Sequence, residues 1–242
     1  MNQQQRNFPT RLRPAAALFL LLPGLALAGG KATLIEAGHS MPIGNQAIKT
    51  GPTEISITWQ DADTVRMDFD EDSSLFRLDG KTYTVSRSDG DIEVIDIGAM
   101  IEMMHSMTNQ GEGQDDKDSL DESFSTQATG RTETLAGFEG RVYQVQSNLF
   151  DEDDGPDEVV FTDDPLVVEM THAYFGVMDG MASKEMGQSW LDALPGKDRG
   201  LLRLGDQLRL ESIQRADPPA SAFELPAEPM DLQSQMGGMG AP

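Results

Sequence analysis

Residues 53–96 read TEISITWQDADTVRMDFDEDSSLFRLDGKTYTVSRSDGDIEVID. Apolar residues return at every second position. Ile55, Ile57 and Trp59 are followed by Val65, Met67 and Phe69, then Phe76 and Leu78, Tyr83 and Val85, and Ile92 and Val94. Successive side chains on a strand point to opposite faces, so a period of two predicts half-buried strands. The interruptions carry turn chemistry at Asp61-Ala62-Asp63, Asp79-Gly80 and Asp89-Gly90. Asp-Gly pairs accept the positive φ that tight hairpins require. The stretch predicts an antiparallel meander, and its period reaches back to Lys31.

At Ile97 the period changes. Ile97, Met100, Ile101, Met104 and Met107 fall on one helical face, with Asp96 placed to cap it. Asn109 to Glu122 is Gly-rich and acidic and reads as a loop. Strands are expected over Thr126–Glu133, Gly140–Phe150 and Glu158–Thr162, with an acidic hairpin tip at Asp151–Asp157. A second helix is expected from Pro165 to about Ser183, carrying Val168, His172, Phe175 and Val177. Leu201–Ile213 reads as one or two closing strands. The expected fold class is α+β, mainly antiparallel β: a curved sheet or half-barrel packed on one or two helices. Residues 29–216 form one β-rich domain in this reading. From 217 to 242 the prolines at 218, 219, 226 and 229, and then a run of Gly and Met, predict a disordered tail.

Residues 1–28 read as a signal peptide. Arg6, Arg11 and Arg13 precede an apolar run from Ala15 to Ala28, which ends in the small-x-small pattern Ala26-Leu27-Ala28. The run is short and is broken by Pro23-Gly24, so no stable membrane anchor is expected. The expected location is the periplasm. The chain has no cysteine, which excludes disulfides and thiolate chemistry. Its formal net charge is −23, and the leader contributes bases and no acid. Nucleic acid is not an expected partner of such a surface. The sequence carries no signal for an oligomeric state.

The stretch Leu75-Phe-Arg-Leu-Asp-Gly-Lys-Thr-Tyr-Thr-Val85 sits in a meander that ends in a Met-rich helix. It resembles periplasmic domains of unknown function related in fold to the LolA/LolB lipoprotein carriers. Gly130-Arg-Thr-Glu-Thr-Leu-Ala-Gly-Phe-Glu-Gly-Arg-Val-Tyr143 and Leu208-Arg-Leu-Glu-Ser212 are similar to the same group, and the similarity spans residues 31–226. It implies an antiparallel half-barrel around an apolar concavity, lidded by helices.

Four chemistries follow from the residues. Nucleophilic catalysis has only His39, His105 and His172 as candidate bases and no Gly-x-Ser-x-Gly elbow, so no enzyme is expected, and no cofactor. A hydrophobic-ligand groove would be lined by Trp59, Met67, Phe69, Tyr83 and Val85 on a concave sheet face, with Met100 and Met104 on the covering helix. The alternative is that the same residues form a closed core, which the limited apolar content of 38% favours. Its ligand would be a lipid, an apolar peptide or an envelope protein. A Cu(I) or Ag(I) site would use the thioethers of Met100, Met103 and Met107, with Met236 and Met239 as helpers; the favoured alternative is that this stripe is the helix's core face, where flexible Met fills gaps under the sheet. Helical spacing turns His105 away from that stripe. Calcium would draw on Asp68-Phe-Asp70-Glu-Asp72 or on the Asp151–Gly155 tip, although Ser73 stands where a calcium loop needs Gly. Acidic loops around Asp115 and Asp153 would suit a basic partner.

Overall fold

The computed structural model of the chain describes residues 29–38, 40–43, 46–49, 51–108, 124–147, 157–181 and 199–231. The first half runs β1 (Gly30–Glu36), β2 (Ser40–Ile43), β3 (Gln46–Lys49), β4 (Thr53–Asp61), β5 (Thr64–Asp68), β6 (Ser73–Leu78), β7 (Lys81–Ser88), β8 (Asp91–Asp96) and α1 (Ile97–Thr108). The second half runs β9 (Phe124–Leu135), β10 (Phe138–Ser147), β11 (Asp157–Thr162), α2 (Pro165–Met181), β12 (Gly200–Leu204) and β13 (Leu208–Arg215). Eleven of these strands form one sheet in the order β8-β7-β6-β5-β4-β1-β13-β12-β11-β10-β9, and β2 pairs with β3 separately. Every pairing is antiparallel. The molecule is an α+β protein with two helices packed on this sheet. Among the described residues no helix is long and apolar enough to cross a membrane.

Local chemistry explains the turns. Asp79-Gly80 (φ 51° and 77°) and Asp89-Gly90 (φ 55° and 91°) take positive φ at both positions, as type I′ hairpins require. Ala136-Gly137 does the same between β9 and β10. The Asp96 carboxylate accepts the Ala99 N–H at 3.1 Å and caps α1. Asp164 caps α2 by accepting the N–H of Leu166 at 2.9 Å. The meander, both helices and the closing strands thus follow the sequence reading within a few residues. The expected 109–122 loop and most of the acidic tip, 151–156, lie outside the described residues.

Sheet register then assigns the faces. Gly30, Ala32 and Leu34 of β1 stand opposite Trp59, Ile57 and Ile55 of β4; Ile57 faces Met67 of β5, and Met67 faces Leu75 of β6. This face meets α2, which lies across β12, β13, β1 and β4 to β7. It forms the main core, with Trp59, Met67, Val160, Phe161, Val167, Phe175 and Leu202 among its buried members. A void of about 10 Å³ remains beside Leu34, Met170, Tyr174 and Leu202, about the minimum for one water. Phe76 and Tyr83 face each other on the opposite side, as do Ser74 and Val85, and Val85 and Val94.

That second face has its own cover. After β13 the chain passes through a short 3-10 turn, Ala220–Phe223, which lies against β5. Leu225 and Ala227 then pack on Phe76, Val85 and Val94, all three fully buried. The Met230 N–H finally donates to the Val94 carbonyl at 2.8 Å. The expectation of a disordered tail from 217 is therefore corrected over 217–231. These residues form a strap from the middle of the sheet to its β8 edge. Prolines keep α-helix and strand out of it but suit an extended chain, and Phe223, Leu225 and Ala227 supply the apolar contacts. Residues 232–242 lie outside the described set.

Ending the chain at Ala216 uncovers Phe76, Val85 and Val94. Urea unfolding should then show a loss of about 2–4 kcal/mol, whereas a chain ending at Asp231 should keep its full stability. Burial, reinforced by Glu36, pushes the Tyr174 phenol up to about 12 from 10.0. The fold favours its neutral form, so this contribution is whole below about pH 10 and fades as pH rises to about 12. Thermal melts across that window should fall for the native chain, and Tyr174→Phe should flatten the fall.

Candidate functional site

The structure divides the groove residues proposed from the sequence. Trp59 and Met67 are 1% and 0% exposed beneath α2, and Phe69 packs against the same core. Val85 is 0% exposed on the opposite face, with Tyr83 packed beside it under the strap. The five do not share a concave wall. The reason lies in β6, where Ser74, Leu75 and Phe76 are all buried. A strand buried on both faces does not reveal by alternation which neighbour shares which side. The Asp79-Gly80 turn sets Lys81 opposite Leu78, and this register sends Tyr83 and Val85 to the strap side. Helix α1 does not lid the core either. It packs on β7, β8 and the end of α2, and Met104 is 56% exposed.

An open cleft of about 590 Å³ lies instead beside α1. One wall is the β6–β7 hairpin, through Arg77, Gly80, Lys81 and Thr82. The second is the first turns of α1, through Asp96, Gly98, Ala99, Ile101 and Glu102. Asp179 and Gly180, near the end of α2, close it. Two of the large exposed apolar side chains flank it in sequence: Met104 follows Glu102 by two residues, and Met181 follows Gly180.

The cleft lining carries two bases, Arg77 and Lys81, and three acids, Asp96, Glu102 and Asp179. The Lys81 ammonium donates to Asp96 at 3.0 Å. That hydrogen bond, then the Asp96 charge, holds the ammonium above its ordinary range. Asp96 thereby joins β7 to the start of α1 with one oxygen while capping the helix with the other. The Arg77 guanidinium donates to the Gly176 carbonyl of α2 at 2.7 Å and to Asp63 at 3.2 Å. The wall cations are therefore committed to structure, and the floor is built from small residues. Gly180 sits so close to Thr82 that a Cβ there would collide with the threonine side chain. Thr82 is 3% exposed, and its hydroxyl has no hydrogen-bond partner among the described residues.

The soft-metal candidates sit differently from the core reading. Met100 and Met103 are half-buried, Met104 is exposed, and of Met107 only the helical backbone is described. The calcium loop at Asp68–Asp72 has another use for its central carboxylate: Asp70 accepts the N–H groups of Asp72 at 2.8 Å and Ser73 at 2.6 Å. Among the described residues no group of three His, Cys, Asp or Glu is placed to hold a metal ion. His172 is half-buried on α2, while the side chains of His39 and His105 lie outside the described residues. Sequence reasoning missed Arg77, Lys81 and Gly180. Their only local signals were the Asp79-Gly80-Lys81 turn and a glycine inside a helical period.

Comparison with known proteins finds no protein-family model, no curated protein and no solved structure that matches the chain.

Two substitutions test the α2–β7 contact. Thr82→Val removes an unpaired buried hydroxyl at nearly constant volume and should raise stability by about 1 kcal/mol. Gly180→Ala should lower it by about 1–3 kcal/mol by forcing the last turn of α2 off β7. Chemical denaturation of the two variants checks both signs.

Proposed function

We propose that this is an exported, non-enzymatic binding protein that takes an apolar or amphiphilic ligand in the cleft beside α1. The observation that carries the reading is the cleft itself. The sheet's main apolar face is filled by α2, and the second face is covered by the strap. Among the described residues a sizeable concavity lies between α1, the β6–β7 hairpin and the end of α2. Its size falls within the range of small-ligand sites. Ile101 and Ala99 offer apolar contact, and the glycines let a chain-like ligand approach closely. Met104 and Met181 beside it are flexible thioethers that adapt to varied apolar shapes. Because Lys81 and Arg77 are already paired with carboxylates, the site suits a neutral or zwitterionic amphiphile, such as a lipid or an apolar peptide of an envelope partner, better than a bare anion. The signal-like leader supports export, and the resemblance to lipoprotein carriers supports an apolar cargo.

Ala99 is exposed on the cleft wall, so a large side chain there fills the space without entering the core. Nile red fluorescence should rise on titration of the native chain. Ala99→Trp should weaken that binding on the order of tenfold, with a loss of about 1.4 kcal/mol in binding energy and an unchanged melting temperature. Equal dye affinity in the two proteins, or no dye binding by either, would overturn the reading.

A further inference from the structure

The charged side chains of the cleft differ in how the fold holds them. Lys81 is paired with Asp96, which also caps α1, and Arg77 with Asp63 and the Gly176 carbonyl. Asp179 is half-buried at the end of α2. Glu102 is exposed on the cleft wall, and among the described residues it joins no salt bridge and accepts no hydrogen bond. It acts on Lys81 through space, as one of the charges that hold the ammonium above its ordinary range. Both bases therefore have carboxylate partners, and Glu102 leaves an uncompensated negative charge where a ligand would lie.

The inner wall adds a second, independent feature. Thr82 lines the same cleft and is 3% exposed. Its hydroxyl is turned toward Gly180, another lining residue, and has no hydrogen-bond partner among the described residues. A buried hydroxyl without a partner is destabilising, and a ligand N–H reaching the inner wall would supply the missing bond. Apolar surface lies beside these groups in exposed Ala99 and half-buried Ile101. A hard metal ion would need about six oxygen ligands. An organic ammonium needs one counter-charge and a few acceptors, and it brings an apolar body that fits the walls.

We propose that the cleft selects an amphiphile with an ammonium head, with Glu102 as its counter-ion, the Thr82 hydroxyl accepting one of its N–H bonds, and its alkyl chain laid along Ala99 and Ile101. The proposal rests on the reading of the cleft as an apolar-ligand site and names the head group that site prefers. An anionic head would meet the Glu102 carboxylate, while Lys81 and Arg77 are already matched. The formal charge of −23 draws cations toward the whole surface. That general attraction can be separated from the site, because loss of any one surface carboxylate changes the net charge equally, whereas Glu102 alone sets the preference inside the cleft.

The test is displacement of Nile red from the full chain by dodecylammonium and by dodecyl maltoside, a neutral amphiphile with the same alkyl chain, each kept below its micelle threshold. Dodecylammonium should displace the dye at about tenfold lower concentration, as one hydrogen-bonded charge contact predicts. Glu102→Gln keeps the side chain's shape, removes its charge and should bring the ratio of the two close to one. Glu54→Gln, at an exposed acid of β4 outside the cleft lining, makes the same change in net charge and should leave the ratio about tenfold. Thr82→Val should lower the ratio about threefold while stabilising the fold, so its loss of binding is not loss of structure. If the native chain binds no dye, the reading of the cleft fails and this inference falls with it. If the dye binds but the two amphiphiles displace it equally, if Glu102→Gln keeps the preference, or if Glu54→Gln loses it as fully, the ammonium assignment is overturned and the apolar cleft stands. An unaltered ratio in Thr82→Val would overturn the threonine's part alone.

Discussion

Strand β1 holds the sheet together. It pairs with β4 on one side and β13 on the other, and those two contacts are where the β4–β8 and β9–β13 halves meet in the sheet. Its first residue tolerates nothing larger than glycine: a Cβ at Gly30 would run into the Trp59 ring and the Gln214 carbonyl. The tight crossing lets the indole lie across the β1 backbone, where Trp59 is 1% exposed. Because β13 comes at the end of the sheet-forming chain, β1 must wait for nearly the whole domain before its second side is paired. Such long-range pairing slows folding through the entropy of closing large loops.

Around that spine the β4–β8 half is buried twice. On one face, α2 is pinned by Arg77, whose guanidinium spans a helix carbonyl and the Asp63 carboxylate, with a side chain 20% exposed. On the other face, the strap replaces a second helix layer with fifteen residues of mostly irregular chain. Arg66 adds to this side by lying 5.4 Å from the centre of the Phe76 ring while paired to Asp68. The two covers work by different physics. A helix satisfies its own backbone and contributes an apolar stripe, while the strap contributes isolated apolar side chains and a hydrogen bond to the sheet edge. The cleft lies beside the first turns of α1, between them, the β6–β7 hairpin and the end of α2.

Much of the fold was legible because its signals are local. The Asp-Gly pairs specify their own dihedrals, Asp96 caps the helix three residues before the amide it accepts, and the change of period at Ile97 marks the true start of α1. The candidate site was much less legible. Alternation shows that a strand has two faces but does not show which neighbours share one, so Trp59 and Val85 were grouped and the structure separates them. Proline content argued against packing in 217–231, yet the Phe223, Leu225 and Ala227 spacing of two already described an extended chain with one apolar side. The cleft joins Lys81 to Gly180 across about 100 residues, a juxtaposition that no local pattern encodes. Helical spacing places Met104 on one face with Ile97 and Ile101, yet Met104 is 56% exposed, so spacing alone does not establish burial.

The hydrogen bond from Met230 to Val94 also bears on how the protein behaves in a crowd of its own kind. An open sheet has two edges whose unpaired backbone groups invite strands from other molecules. At the β8 edge, one of those groups is already taken by the chain's own strap. At the other edge, Gly130 at φ 77° interrupts β9, with the Thr129 hydroxyl donating to the Val142 carbonyl, and Arg131 and Glu133 place charge just beyond the kink. One edge is guarded by covering it and the other by bending and charging it. Release of the strap would therefore expose an apolar face and an unpaired strand edge together, the combination from which edge-to-edge aggregation begins.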